Sequence, residues 1–122
     1  MWPLSVVAIL GASDNPTRYS FMALELLVEK GHQVKLINPR LKSIAGHPCV
    51  ASLSELKDVH TLTIYVNPEI LEQNLDAILK LRPQRVIMNP GSESEKVRKA
   101  LGQQKIEVIE GCTLVMLRTA QF

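Results

Sequence analysis

Aromatic side chains are scarce in this chain: one Trp, two Tyr and two Phe, 4% of 122 residues. A platform that stacks nucleic-acid bases needs aromatics spread along a basic groove, and a formal net charge of +2 adds no strong field for a phosphate backbone. No nucleic-acid partner is expected. Cysteine is equally sparse: Cys49 and Cys112 form no CxxC pair and join no His/Cys cluster. This excludes a disulfide framework and offers no metal site. Long apolar runs are missing too. The opening MWPLSVVAIL lacks the basic start and cleavage site of a secretory signal, and nothing approaches the roughly 18 residues of a bilayer span. The expectation is a cytoplasmic protein with no membrane attachment.

What is present is an ordinary globular composition, 46% hydrophobic and 21% charged, in a length that suits one domain over residues 1–122. That length leaves no room for a separate substrate domain. Val6 to Leu10 is a β-branched apolar run closed by Gly11, the pattern of a strand buried on both faces. Phe21, Leu24, Leu27 and Val28 then recur at helical spacing from Ser20, with Lys30-Gly31 as a stop. Val34, Leu36 and Ile37 predict a second strand ended by Asn38-Pro39. Residues 40–60 have little periodicity, and Ser52 to Glu55 reads as a capped helical turn at most. Leu62, Ile64 and Val66 predict a third strand ended by Asn67-Pro68, and Pro68 to Leu81 one amphipathic helix. Arg85 to Met88 predicts a fourth strand, Ser94 to Gln103 a polar helix, and Ile106, Val108 and Ile109 a fifth strand. Cys112 to Leu117 is a last apolar segment, helical or extended.

This alternation predicts an α/β fold: a Rossmann-type, doubly wound, mainly parallel five-stranded sheet in a three-layer α/β/α sandwich. In such a sheet ligands lie beyond the carboxyl ends of the strands, where this sequence places Gly11-Ala-Ser-Asp-Asn, Asn38-Pro-Arg, Asn67-Pro, Asn89-Pro-Gly and Gly111-Cys112. Asn-Pro also punctuates ordinary turns well. A glycine directly after the first strand lets backbone approach a phosphate, and the next helix start offers free amides. Ser13, Asn15, Thr17 and Ser20 add polar groups, and Arg18 a charge suited to a pyrophosphate. The full GxGxxG is absent, since Ser13 stands at the second glycine and Pro16 at the third. The carboxylate that holds the ribose of NAD is also absent. Arg40 and Lys42 stand there instead, suited to an extra phosphate as in NADP or in the 3′-phospho-ADP of coenzyme A, or simply to a solvated loop.

The run VAILGASDNPTRYS at 7–20, GHQVKLINPR at 31–40 and GHPCVASLSEL at 46–56, continued by Asn89-Pro-Gly-Ser-Glu and Cys112-Thr-Leu-Val-Met, resembles the stand-alone CoA-binding domain family. That family is similar to the N-terminal domain of the succinyl-CoA synthetase α subunit. The resemblance implies coenzyme A or an acyl-CoA along the strand ends. Gly11, Ala12, Ser13, Arg18, Tyr19 and Ser20 would meet the pyrophosphate, and Asn38, Pro39 and Arg40 the phosphorylated ribose. Val66 and Pro68 would flank the adenine, and Gly91 would border the pantetheine. At Tyr19-Ser20 the sequence departs from the synthetase loop, which keeps a further glycine. The synthetase's phosphorylated histidine belongs to a domain that has no counterpart here.

No catalytic constellation emerges. His32, His47 and His60 read as surface or turn residues, and no partner can be named for Asp14 or Glu93 as a general base. Cys112, at a strand end, is the one candidate nucleophile, although a small buried hydrophobe fits it as well. The expected role is a nucleotide-binding module without catalytic residues, its ligand CoA or an acyl-CoA. NADP in an oxidoreductase or sensor is the second choice, and an interaction module that has lost its ligand the third. A homodimer or an unidentified protein partner stays open.

Overall fold

The computed structural model describes residues 4–122, so the opening Met-Trp-Pro lies outside the described residues. Strand β1 (Val6–Leu10) occupies the middle of the sheet, with Val7, Ala8 and Ile9 fully buried. Helix α1 (Tyr19–Glu29) returns the chain to β2 (Gln33–Ile37). A short hairpin follows, β3 (Ser43–Ile44) and β4 (His47–Val50), then a 3-10 turn at Leu53–Glu55 and β5 (Thr61–Ile64). Helices α2 (Pro68–Gln73) and α3 (Leu75–Leu81) lead to β6 (Arg85–Met88), and α4 (Glu95–Gln103) leads to β7 (Glu107–Glu110). Helix α5 (Thr113–Arg118) closes the order, so the last apolar segment is helical.

The sheet has seven strands in the order β3-β4-β2-β1-β5-β6-β7, two more than the sequence predicts. Every pairing is parallel except β3 with β4. The additional strands come from the aperiodic stretch 40–60, where Ala45 and Gly46, both at positive φ, make the hairpin turn. β3 has only two residues, and β4 reads His-Pro-Cys-Val, without the β-branched apolar run that marks the other strands. Counted without β3, the six parallel strands run 3-2-1-4-5-6, the dinucleotide-binding order, whose direction of winding reverses between β1 and β5.

Alternate side chains of each strand feed two apolar layers. Val7, Ile9, Leu36 and Ile87 pack with Leu24 and Leu27 of α1 and Leu117 of α5. Ala8, Leu10, Leu62, Ile64, Val86 and Met88 pack on the other face with Leu71, Ile78, Val97 and Leu101 of α2, α3 and α4. The sandwich is therefore three-layered. The predicted helix Pro68–Leu81 is in fact two. Asn74, at φ −96° and ψ 3°, ends α2 and starts α3, and its side-chain amide donates to the Ile70 carbonyl at 2.9 Å. An asparagine that bonds its own backbone competes with the helical ladder, which apolar periodicity does not register. The Ser52 turn carries the expected capping box with Glu55.

Candidate functional site

A cavity of about 620 Å³ lies beyond the carboxyl ends of β1, β2, β5 and β6, at the point where the strand order reverses. Its lining comes from four loops. The first begins at Gly11, whose φ of +91° and close approach to Tyr65 exclude a side chain. Its neighbour Ala12 is tied to β2 by its amide, which donates to the Ile37 carbonyl at 3.2 Å. The rest of the loop is folded by its own side chains: Ser13 Oγ accepts from the Asn15 amide at 3.1 Å, and Asn15 Oδ1 from the Thr17 amide at 3.0 Å. Helix α1 then starts at Arg18 with no side-chain cap. Its first turn contributes Arg18, Tyr19 and Ser20 to the lining.

The second loop brings Asn38 and Arg40. Asn38 does not present its amide freely. Nδ2 donates to the Ala12 carbonyl at 2.8 Å, and Oδ1 accepts from the amides of Arg40 and Leu41 at 2.8 and 2.9 Å. It joins the first loop to the second and so fixes where Arg40 emerges. The third loop supplies Ile64, Tyr65, Val66 and Asn67, and α2 adds Ile70. Asn67 Oδ1 caps α2 by accepting from the Ile70 amide at 2.9 Å. The fourth loop supplies Asn89 to Ser92.

Asn89 is the most heavily engaged residue of the site. Nδ2 donates to Thr63 Oγ1 at 2.7 Å and to the Ile64 carbonyl at 2.8 Å, and Oδ1 accepts from the Thr113 amide at 2.9 Å. One buried side chain thus holds the ends of β5 and β6 and the start of α5 in register. Thr63 and Thr113 complete the network through their hydroxyls, 2.7 Å apart. Beside them the Tyr65 hydroxyl is buried and makes no hydrogen bond of normal geometry. Burial pushes its pKa up to about 12, opposed by the nearby Thr113 and Thr63 hydroxyls and reinforced by Cys112.

Of the twelve residues expected at a ligand, ten line this cavity: Gly11, Ala12, Ser13, Arg18, Tyr19, Ser20, Asn38, Arg40, Val66 and Gly91. Pro39 is exposed and Pro68 serves as the first residue of α2, and neither lines it. Ile64, Tyr65, Asn67, Ile70, Asn89, Pro90 and Ser92 also line it and stand outside the expected set. Ile70 had a legible signal, since an apolar residue one turn into a helix whose cap borders the cavity overhangs the same edge. Cys112 is half-buried as the N-cap of α5, outside the lining. The lining contains two arginines and no Asp, Glu, His or Cys, so the cavity favours an anion. Contrary to the surface reading, His32 is buried, and its Nδ1 accepts from the Ser5 amide at 3.1 Å. Among the described residues no group of His, Cys, Asp and Glu could hold a metal ion, and no helix is long and apolar enough to cross a membrane.

Residues 5–118 match the model of a family described as "CoA binding domain". The chain belongs to the CoA-binding domain family. An uncharacterised protein of solved structure shares 34% identity with this CoA-binding domain at a TM-score of 0.94, covering 98% of this chain and 99% of that one. A Thermus thermophilus protein shares 32% identity at a TM-score of 0.88, over 98% of this chain and 91% of that one. The domain also resembles part of a dinucleotide-forming acetyl-coenzyme A synthetase 1 from Candidatus Korarchaeum cryptofilum, solved with phosphate and ADP. There the TM-score is 0.75 at 20% identity, over 88% of this chain and 25% of that one, a likeness of fold alone. No curated protein matches the chain.

Proposed function

We propose that residues 1–122 act as one nucleotide-binding unit that holds coenzyme A or an acyl-CoA by its 3′-phospho-ADP moiety and has no catalytic residues of its own. The observation that carries this is the charge pattern of the cavity. Arg18 and Arg40 rise from two different loops over a lining without a carboxylate, at the switch point of the sheet. Arg18, at the uncapped start of α1, would meet the pyrophosphate beside first-turn amides. Arg40, just after β2 where an acidic residue would hold an unmodified ribose, would meet the ribose phosphate. Membership of the CoA-binding domain family supports the same ligand. The absence of a carboxylate, imidazole or thiol from the lining supports binding over catalysis.

Arg40 would equally suit the 2′-phosphate of NADP, so titration calorimetry against CoA, acetyl-CoA, NADP and NAD is the deciding experiment. Micromolar binding of CoA and acetyl-CoA is expected, with both dinucleotides weaker. Micromolar NADP beside millimolar or undetectable CoA would overturn the proposal. Arg18→Ala and Arg40→Ala should each weaken CoA binding by about 1.5–3 kcal/mol, the value of a hydrogen bond to a charged group. Dephospho-CoA should show the Arg18 effect and lose the Arg40 effect.

A further inference from the structure

Along α1, Met22, Glu25, Leu26 and Glu29 form one stripe at helical spacing, the two glutamates exposed and Met22 and Leu26 half-buried, with Leu26 also touching the core. Together with Arg118 of α5 they line a second, shallow groove of about 440 Å³ between the two helices. Helix α1 is unusual for a surface helix, because its only polar residues are Ser20, Glu25 and Glu29, and Ser20 is buried. A helix that is apolar nearly all round is normally covered on both sides. Here the flank of α1 that faces α5 is open: Tyr19 is 70% exposed, and Val115 of α5 is 53% exposed.

The charges on this groove are divided by wall. Glu25 and Glu29 stand on the α1 side and Arg118 on the α5 side. Among the described residues the one side-chain ion pair is Arg98 with Glu95, so none of the three is paired within the chain. A two-fold axis through such a groove lays the basic wall of each copy on the acidic wall of the other, the self-complementarity that an isologous interface requires. The apolar seam of Tyr19, Met22 and Leu26 would meet its own copy at the centre. We propose that the face formed by α1 and α5 is a homodimer interface. In it Arg118 pairs with the partner's Glu25 and Glu29, while Met22, Leu26 and Val115 are buried between the subunits. Tyr19 also lines the cavity at the switch point, so this interface runs up to the mouth of that cavity.

The test is sedimentation equilibrium on the full chain and on Arg118→Glu, the double variant Glu25→Arg/Glu29→Arg, and Leu26→Arg. All four side chains are exposed or half-exposed, and circular dichroism verifies that each variant is folded. The wild type is expected to be a dimer at micromolar concentration that loosens in high salt. Each variant should dissociate at least tenfold more readily. An equal mixture of Arg118→Glu with Glu25→Arg/Glu29→Arg should recover the dimer as a heterodimer. A wild type that stays monomeric at every concentration overturns the proposal, including a monomer that uses this face for a different protein. So does a dimer indifferent to all the substitutions, and so does a charge-swapped mixture that remains monomeric.

Discussion

A Cβ placed on Gly11 would stand 2.9 Å from the carbonyl oxygen of Tyr65 and equally close to the Val66 side chain. The first loop and the third therefore meet backbone to backbone across the mouth of β1 and β5, and that closeness shapes the floor of the cavity. Gly91 on the fourth loop has nearly the same dihedral, φ +94°, with nothing within 4 Å of its missing side chain. The two glycines make a controlled pair. Gly91→Ala should cost only backbone strain, about 1 kcal/mol. Gly11→Ala adds a collision with backbone that has nowhere to move, and should cost about 3 kcal/mol or more and abolish ligand binding. Denaturant melts of both variants check this, and equal losses would refute it.

The three Asn-Pro pairs look alike in sequence but differ sharply in what their asparagines do. Asn89 is 3% exposed and serves three buried partners from other segments. Asn67 makes one exposed cap bond. Asn89→Ala leaves several buried polar groups unsatisfied and should cost about 3 kcal/mol, whereas Asn67→Ala should cost about 1 kcal/mol. Chemical unfolding of the pair measures the difference, and a reversed order would refute it.

Stability should also depend on pH through His32. Burial lowers its pKa, and the Arg85 guanidinium adds to the lowering. The sign follows from proton uptake. Above the unfolded value of about 6.5 both states are neutral and the full stability is present. As pH falls below that value, the unfolded chain takes up a proton before the folded one, and stability is lost until the folded pKa is passed. Thermal melts of wild type and His32→Leu should show a steeper decline for the wild type between about pH 7 and 5.5. Parallel slopes would remove His32 as the cause.

Tyr65 offers the opposite kind of variant. Its buried hydroxyl makes no well-formed hydrogen bond, so Tyr65→Phe removes a desolvated group and no good contact. Stability should be unchanged or higher by up to about 1 kcal/mol. The wild-type phenol should ionise only near pH 12 in an absorbance titration. A variant clearly less stable than wild type would mean that the hydroxyl has a partner after all.

The fold was legible wherever one side of an element is buried and the element is long enough to repeat. β1, β5 and α1 satisfy both conditions, and the buried run Val7–Leu10 marks the central strand directly. The β3–β4 hairpin buries Ile44 but lacks the repeat, since β3 has two residues and Pro48 interrupts β4. The break at Asn74 rests on one side-chain bond to backbone, which apolar spacing cannot report. At the site, residues that follow strands were legible because topology alone brings strand ends together. The inward use of Asn38, and the place of Pro39 and Pro68 outside the lining, depend on rotamers and loop paths. Those are settled by contacts between segments distant in sequence.

The short strand β3 has a consequence for solubility. A sheet edge with free backbone groups invites another strand, yet β3 runs antiparallel along β4 for only two residues and occupies part of that edge. At the far edge, β7 carries exposed Glu107 and Glu110, so a second copy adding there in register would bring like charges together. Both borders of the sheet thus resist ribbon-like growth, and the proposed α1–α5 contact, being made by helices, would close at two subunits and stop.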